Sequence, residues 1–415
     1  MGTFASAYAF YTPLLQDRKK SAKYRLDVSE AKSPIRGTTG MELSIGKREL
    51  LRGLARTHAV ADRKSSMPIL SNVLVSADDD GVLRLAATDL YLAVNASSEA
   101  KVRRPGSVAL SARTFFDIVK SLPDAEVKLA TDKNYALQLR SGKIKFRIPG
   151  MPGEDFPPLP SPGEAKFSEI SAASLSQLIG LTQYSMSSDD TRPHLSGALF
   201  ESDKKTVRMV TTDGHRLSKA ELKADEGTES FSMLVPQKGI AELKRLIDDV
   251  RGEKKSGDGQ PTIGVATLSG SAFFRSQGVA LSVKLTDEQF PPYSKVIPQS
   301  HQRRVVALRE ALVDSLRRIS LVASDKSGGV RLSLEPGNLH IVSENPDVGE
   351  GSEELEVDFS GEPLTVGFNA RYLLEALSAL PDDEVLVELG GELDPGVIKP
   401  VSDNRFVGVV MPMRI

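Results

Sequence analysis

The feature that most constrains the fold of this chain is a pattern of helix, turn and proline signals that recurs three times from Met41 onward, about every 125 residues. The matching positions in successive repeats include Pro68 and Pro193, Asp89 and Asp213, and Phe156 and Phe290. A chain of 415 residues is too long for one ordinary core, so two to four domains are expected on length alone. The repeats predict three domains, at 41–160, 167–292 and 293–415. Residues 1–40 lack the pattern and are predicted to be a disordered extension or a tag.

Each repeat combines two helices with several short strands. The first helix is predicted at 47–60, where Leu50, Leu51 and Leu54 share one face. The other helices are predicted at 112–122, 171–186, 237–249, 309–323 and 369–380, and the last strand at 405–415. Because each run of alternating strands has one apolar face, the helices are expected to cover one side of the sheets. The predicted fold class is α+β, with three similar domains, each half of which resembles a β-α-β-β-β module.

Composition narrows the class of protein further. Hydrophobic residues make up 40% and charged residues 26%, which is typical of a soluble globular protein. No apolar run reaches the roughly 18 residues that span a bilayer, and there is no cysteine, so we expect a cytoplasmic protein without membrane contact. With a formal net charge of −2, nucleic-acid binding would depend on uneven placement of charge. Basic residues concentrate on the predicted helices and acidic residues at 347–356 and 382–384, although ordinary solvated helix faces would produce the same pattern.

No cofactor and no metal are expected. The five histidines form none of the spacings that zinc sites use. The chain also lacks the glycine-rich motifs that bind phosphate and the Gly-x-Ser-x-Gly motif of hydrolases. Intrinsic nucleotide chemistry therefore has no sequence support.

The segment 210–217 has the residue types of an active site. An apolar strand leads into Asp213 and Gly214, a pair suited to a tight turn, and a second strand is predicted to carry His215, Arg216 and Leu217 outward. An acid–base pair of Asp213 and His215 is one interpretation. The favoured interpretation is that Asp213 caps the turn through backbone N–H groups and that His215 packs at the edge of a groove.

Four groups of residues carry a resemblance to a known family. They are Thr-Asp-Gly-His-Arg-Leu at 212–217, Phe-Pro-Pro-Tyr at 290–293, Gly-Phe-Asn at 367–369, and Val-Val-Met-Pro-Met-Arg-Ile at 409–415. With them, the chain from Met41 onward resembles the bacterial DNA polymerase III β subunit family, the sliding clamps. The resemblance implies three clamp domains per chain and a head-to-tail homodimer that closes a ring around double-stranded DNA. Helices would line the hole and sheets would form the rim.

The resemblance also implies partners and sites. Partners would be sequence-independent duplex DNA, an ATP-driven clamp loader, the replicative polymerase catalytic subunit, and other polymerases and repair proteins that carry short clamp-binding peptides. The implied peptide groove consists of Leu195, Thr212, Gly214, His215, Arg216, Leu217, Pro291, Lys295, Val296, Asn369, Tyr372, Val409, Met411, Pro412 and Met413. The implied DNA contacts are Arg63, Lys64, Arg113, Arg192 and Lys238. The implied dimer interface sets Lys143, Lys145 and Phe146 against Leu321, Val322, Glu350, Glu353 and Glu354.

The expected function is therefore that of a non-catalytic clamp that tethers a polymerase for processive synthesis. Two alternatives stay open from the sequence. The chain could be a DNA-binding scaffold or regulator that has the clamp fold but does not encircle DNA. It could also be an enzyme that uses Asp213 and His215.

Overall fold

The computed structural model describes residues 40–62, 65–252, 260–299, 301–323 and 328–414. The chain forms two compact units. The first comprises Met1–Ala87, Asn95–Pro157 and Gln277–Ala280, and the second comprises Thr88–Val94, Pro158–Ser276 and Leu281–Ile415, each within the described ranges. The extension predicted at 1–40 lies outside the described residues except for Gly40.

Six α-helices are present in the described residues, two in each repeat predicted from the sequence. They are α1 (Lys47–Thr57), α2 (Ala112–Ser121), α3 (Ala172–Thr182), α4 (Gln237–Gly252), α5 (Arg309–Ile319) and α6 (Ala370–Ala379). Three predicted helices are too long. The helix predicted at 47–60 ends at Thr57. In the other two, the apolar pattern continues into separate 3-10 turns at Gln183–Ser185 and Ser320–Val322. None of these helices is long and apolar enough to cross a membrane.

The first unit contains two groups of hydrogen-bonded strands. Its strands are β1 (Glu42–Gly46), β2 (Asn72–Ala77), β3 (Val82–Thr88), β4 (Leu92–Glu99), β5 (Lys101–Arg104), β6 (Gly106–Ser111), β7 (Glu126–Thr131), β8 (Leu137–Ser141), β9 (Ile144–Ile148) and β10 (Gly150–Pro152). One group has the order β5-β1-β7-β8-β9, and the other the order β10-β6-β2-β3-β4. Residues Thr88–Val94, which end β3, form the following turn and begin β4, belong to the second unit. Helices α1 and α2 pack together, and Leu50, Leu54 and Phe115 are fully buried.

The second unit contains the remaining strands. They are β11 (Ser168–Ser171), β12 (Gly197–Ser202), β13 (Thr206–Thr212), β14 (Arg216–Lys223), β15 (Phe231–Pro236), β16 (Thr262–Leu268), β17 (Ser271–Ser276), β18 (Val279–Lys284), β19 (Arg303–Leu308), β20 (Gly329–Glu335), β21 (Asn338–Asn345), β22 (Gly349–Glu356), β23 (Leu364–Asn369), β24 (Glu384–Leu389), β25 (Gly396–Pro400) and β26 (Phe406–Val410). Their orders are β18-β17-β16-β11, β15-β12-β13-β14-β26-β25-β24-β19 and β22-β21-β20-β23. Helices α3 and α4 pack as one pair and α5 and α6 as another.

The pairing of β14 with β26 joins parts of the chain that are far apart in sequence. The two strands run antiparallel, with Arg216 opposite Val410 and Leu217 opposite Val409. The strand predicted at 405–415 is too long, since β26 ends at Val410 and residues 411–414 continue without regular structure. Met411 and Met413 therefore lie beyond the end of the strand, next to the surface described below.

Candidate interaction surfaces

The turn between β13 and β14 is held by its own side chains. Thr212 Oγ1 donates to the Arg216 carbonyl at 2.6 Å and accepts from Gly214 N at 3.1 Å. Asp213 Oδ1 accepts from the backbone N–H groups of His215 and Arg216 at 2.9 and 3.1 Å. Gly214 has φ of 92°, a conformation that glycine adopts without steric cost. Asp213 is therefore the capping residue that the sequence predicted.

Arg216 departs from the prediction. Its side chain is only 7% exposed, and Leu217 beside it is 3% exposed, so neither points outward as expected. The Arg216 guanidinium donates to Asp213 Oδ2 at 3.0 Å, to the Tyr184 carbonyl at 2.6 Å and to the Glu375 carboxylate. A buried arginine needs several such acceptors because its desolvation is costly. Arg216 therefore acts as an internal tie between the turn and helix α6.

Two tyrosines flank this arginine. The Arg216 Cζ atom lies 4.5 Å from the centre of the Tyr372 ring and 5.4 Å from that of Tyr184. Burial raises the pKa of Tyr184 to about 12, and its hydroxyl accepts from Ser218 at 2.6 Å. Tyr184 and Glu375 were missed by sequence reasoning. The position of Glu375 on α6, one turn after Tyr372, was the available signal.

A compact apolar cluster lies beneath the turn. It consists of Val210, Leu217, Leu234, Phe290 and Val409, with Leu199, Tyr293, Ile297 and Val407 packed against it. Met411 follows directly, and its N–H donates to the His215 carbonyl at 2.9 Å. Met411 is 40% exposed, and Val296, next to Ile297 of the cluster, is 42% exposed, so apolar side chains beside the cluster reach the surface.

Helix α6 contributes the remaining wall. Asn369 caps its N-terminus by accepting from the N–H groups of Arg371 and Tyr372 at 3.0 and 3.4 Å. The cap fixes Tyr372, whose ring is nearly parallel to that of His215 with centres 6.3 Å apart. The Asp213 carboxylate accepts hydrogen bonds from two backbone N–H groups and from the Arg216 side chain, and these bonds stabilise the turn.

The residues carried over for the groove fall into three classes of exposure. Gly214, His215, Lys295, Val296 and Met411 are exposed; Pro291, Asn369, Tyr372, Pro412 and Met413 are half-buried; and Leu195, Thr212, Arg216, Leu217 and Val409 are buried. Solvent therefore reaches ten of these residues, and the other five are buried. All fifteen lie in the second unit.

The turn between β3 and β4, called the first turn below, has the same internal hydrogen bonds as the turn between β13 and β14, called the second turn. Thr88 Oγ1 donates to the Leu92 carbonyl at 2.9 Å and accepts from Leu90 N at 2.9 Å. Asp89 Oδ1 accepts from the N–H groups of Tyr91 and Leu92 at 3.0 and 2.7 Å. The repeated Thr-Asp pair therefore specifies one turn in two places.

The residues expected to contact DNA have varied surroundings. Arg113 lies 3.7 Å from Asp117, and Lys238 is paired with the Asp89 carboxylate while 60% exposed. Arg192 donates to Asp189 Oδ2 at 2.8 Å and to the Asp213 carbonyl at 3.2 Å, so it also supports the second turn. Arg63 and Lys64 lie outside the described residues.

Two edge strands carry the residues expected at the dimer interface. In the first unit, β9 forms the edge of its sheet and exposes Lys143, Lys145 and Phe146 in and beside it. Phe146 is 38% exposed and Ile144, which the sequence analysis missed, is 37% exposed. The alternation of Ile144, Phe146 and Ile148 along the strand was the signal for it.

In the second unit, β22 forms the edge of a four-stranded sheet, and Leu321 near it is 79% exposed. Glu350 and Glu354 are exposed, and Val322 is half-buried. Glu353 is different, because it accepts from Ser315 at 2.7 Å and from Arg318 at 2.9 Å. The hydrogen bond from Arg318 lowers the pKa of Glu353. Its charge is thus already compensated within the chain.

No group of three or more histidine, cysteine, aspartate or glutamate side chains in the described ranges could hold a metal ion. The described residues include exposed apolar side chains, charged helix faces and open sheet edges. Their chemistry suits macromolecular contact.

Comparison with known proteins identifies the family. Three domain models of the DNA polymerase III beta subunit match in order, the N-terminal domain at 41–160, the central domain at 169–292 and the C-terminal domain at 294–414. The beta sliding clamp of Caulobacter vibrioides is 32% identical over 382 residues, covering 90% of this chain and 100% of the relative. The beta sliding clamp of Escherichia coli is 32% identical over 378 residues with the same coverage.

A solved structure extends the likeness to three dimensions. The DNA polymerase III subunit beta from Pseudomonas aeruginosa matches with a TM-score of 0.85 at 30% identity, covering 90% of this chain and 100% of that one. The fold class of three α+β clamp domains is confirmed. The chain therefore belongs to the DNA polymerase III β subunit family, the non-catalytic sliding clamps of bacterial DNA replication.

Proposed function

We propose that two copies of this chain associate head to tail and close a ring around double-stranded DNA, where the ring tethers a replicative polymerase. The observation that carries the proposal is the match of three β-subunit domains in order from 41 to 414, with full coverage of sliding-clamp relatives. A clamp loader would supply the ATP chemistry that opens the ring. A protein that holds chromosomal DNA in this way would act in the cytoplasm.

The proposed grip on DNA is electrostatic and loose. A ring that slides must contact phosphates without reading bases, since base contacts would hold it at one sequence. Helical residues such as Arg113 and Lys238 are well exposed but have carboxylate neighbours. Such local pairing weakens each phosphate contact and leaves the attraction strongly dependent on salt. Arg63, Arg192 and Lys64 complete the proposed set of contacts.

Ring closure is proposed to join edge strand β9 of one copy to edge strand β22 of the other. Open strand edges present unpaired backbone groups that favour pairing with another strand. Lys143 and Lys145 would face Glu350 and Glu354, and Phe146 would pack on Leu321 and Val322. Opposite charges around an apolar centre favour this pairing over the pairing of like edges. Glu353 is held by Arg318 and would support the edge from within.

The interface is tested by Phe146→Asp combined with Leu321→Asp. Both side chains are exposed in the single chain, at 38% and 79%, so the changes should leave each chain folded. Analytical ultracentrifugation is expected to show a dimer for the wild type and a monomer for the double variant. A double variant that remains dimeric at micromolar concentration would remove this interface assignment.

The surface between the second turn and α6 is proposed to bind short peptides of polymerases, the clamp loader and repair proteins. Such peptides would combine a glutamine with leucine or phenylalanine. Burial of one such apolar side chain contributes roughly 1.5–3 kcal/mol, so a short peptide would bind with about micromolar affinity. Exposed Met411 can adapt to different sequences because methionine has three rotatable bonds.

The groove is tested by peptide binding to Met411→Ala. Loss of the exposed thioether is expected to weaken binding about tenfold, which corresponds to roughly 1.4 kcal/mol. Val401→Ala is the matched control, because Val401 is 46% exposed on a loop outside the groove. Equal affinity of both variants, measured by fluorescence anisotropy, would show that the groove is misplaced.

The function as a whole is tested by retention on nicked circular DNA after loading. A closed ring is expected to stay on the circle at high salt and to slide off once the circle is cut. The double interface variant is expected to be lost from both forms. Equal retention before and after linearisation would favour the scaffold that does not encircle DNA.

A further inference from the structure

An open cavity of about 330 Å³ lies beside the first turn, within the second unit. The turn contributes Thr88 to Ala93 apart from Asp89, and the opposite side is formed by Pro160, the 269–271 turn, Lys284 and Asp287. The size is in the range of small binding sites. None of the surfaces used in the proposed clamp function includes this cavity.

The cavity is the counterpart of the proposed peptide groove. In the groove, Met411 N–H donates to the His215 carbonyl at 2.9 Å. Beside the cavity, Lys284 N–H donates to the Tyr91 carbonyl at 2.7 Å. Tyr91 thus occupies the place of His215, and Lys284 that of Met411, around two turns with the same internal hydrogen bonds.

The tip of the first turn presents apolar surface to solvent. Leu90 is 51% exposed and Tyr91 is 68% exposed. Leu90 has φ of 75°, a conformation that costs a non-glycine residue about 1–2 kcal/mol. The turn therefore keeps an exposed leucine in a strained backbone conformation beside the cavity.

The charges around the cavity indicate the kind of ligand. The Lys284 ammonium lies 5.6 Å from the centre of the Tyr91 ring, and Asp287 supplies a carboxylate of opposite sign. The two charges cancel, so neither an acidic nor a basic peptide is favoured overall. A neutral side-chain amide is complementary to both, because its carbonyl accepts from an ammonium and its NH2 donates to a carboxylate.

We propose that this cavity is a second docking site for an extended peptide segment of a partner protein, one that places a glutamine beside a leucine or phenylalanine. The amide lies between Lys284 and Asp287, and the apolar side chain packs on Leu90 and Tyr91. The inference rests on the proposed function, since the ligand belongs to the same class of peptide. Binding is weaker than at the groove because polar Thr88, Ser269 and Ser271 share the lining.

The test uses the pentapeptide Gln-Leu-Ser-Leu-Phe with a photoreactive benzophenone in place of the final ring. Crosslinked residues are mapped by mass spectrometry across a peptide titration. We expect crosslinks at the groove at low concentration and at residues 90–93 and 284 at concentrations about tenfold to hundredfold higher. Tyr91→Ala and Asp287→Asn should each reduce the second set at least fivefold and leave the first set unchanged.

Met411→Ala is the matched control, since it should reduce groove crosslinks and leave those beside Tyr91 unchanged. Crosslinks at the groove alone, up to the highest concentration, would overturn the second site while leaving the proposed function intact. Crosslinks beside the first turn that persist in Tyr91→Ala would overturn it as well. Crosslinks absent from the groove would count against the proposed function itself. Tyr91 and Asp287 are exposed, so the variants should fold normally.

Discussion

The turns at Thr88–Leu92 and Thr212–Arg216 have the same backbone hydrogen bonds but different roles. Each places a threonine hydroxyl and an aspartate carboxylate against the same backbone groups. They differ in the three residues that follow, which are Leu-Tyr-Leu in the first turn and Gly-His-Arg in the second. The shared Thr-Asp pair therefore determines the turn, and the three residues that follow determine the surface that the turn presents.

The difference is clearest in the partner of each aspartate. Asp89 is paired with Lys238, which is 60% exposed on helix α4. Asp213 is paired with Arg216, which is 7% exposed and also contacts Glu375 on α6. An exposed lysine pair contributes little to stability, whereas removal of one partner from a buried ion pair is strongly destabilising. The second turn is therefore held to helix α6 by the buried side chain of Arg216. The residue at the matching position of the first turn is Leu92, whose apolar side chain forms no ion pair.

The largest effect is expected for Arg216→Ala. Removal of the guanidinium leaves the Asp213 and Glu375 carboxylates without their shared cation, which should cost about 3–5 kcal/mol in the free energy of unfolding. Lys238→Ala, the corresponding change at the first turn, should cost less than about 1 kcal/mol. Urea denaturation of both variants measures the two values. Equal losses in the free energy of unfolding would contradict the difference between the two ion pairs.

An intermediate loss of stability, equal in the two turns, is expected when the hydrogen bonds of the threonine hydroxyl are removed. Thr88 and Thr212 are 3% and 8% exposed, and each hydroxyl makes two backbone hydrogen bonds. Thr88→Val and Thr212→Val should each cost about 1–2 kcal/mol, because buried backbone groups lose their partner. A large difference between the two variants in urea denaturation would show that the frames are not equivalent.

A smaller effect is expected from exchange at the third position of each turn. Gly214→Ala places a side chain at φ of 92° and should cost about 1 kcal/mol, although its Cβ would meet only Arg192 Nη1, at 3.6 Å. Leu90→Gly relieves strain but adds freedom to the unfolded chain, so its net effect should lie within about 0.5 kcal/mol of zero. Thermal unfolding of both variants checks the asymmetry. A stabilised Gly214→Ala would contradict the strain assigned to this turn.

The smallest effect concerns pH and is specific to the second turn. Burial raises the pKa of Tyr184 to about 12, above that of an unfolded tyrosine. The unfolded chain therefore loses its proton first, and stability should fall as pH rises from about 10 towards 12. Relative to Tyr184→Phe, the wild type should lose about 0.5 kcal/mol between pH 8 and pH 10. Parallel urea midpoints for the two proteins measure this loss, and a constant difference would contradict the shift.

The sequence predicted the turn because its determinants are local. Asp213 precedes Gly214, and each satisfies a rule that spans only a few residues. The direction of Arg216 was predicted wrongly because its environment is not local. Its carboxylate partner on α6 lies 159 residues away, and no pattern near the turn indicates it.

The same distinction explains the other differences. Helix starts at Ser111, Ser171 and Asn369 follow from capping side chains next to apolar periodicity. Helix ends and the end of β26 were predicted less well, because apolar residues continue past them into 3-10 turns and into residues 411–414. Exposure of Ile144 depends on the position of β9 at a sheet edge, and that is set by the whole topology.

The central claim is that the second turn forms the wall of a partner-binding groove. A crystal structure of this chain with the peptide Gln-Leu-Ser-Leu-Phe at stoichiometric concentration tests it most directly. The account predicts peptide density between His215 and Met411, with an apolar side chain packed on the cluster of Leu217 and Val409. Density elsewhere on the chain, with this groove empty, would contradict the account.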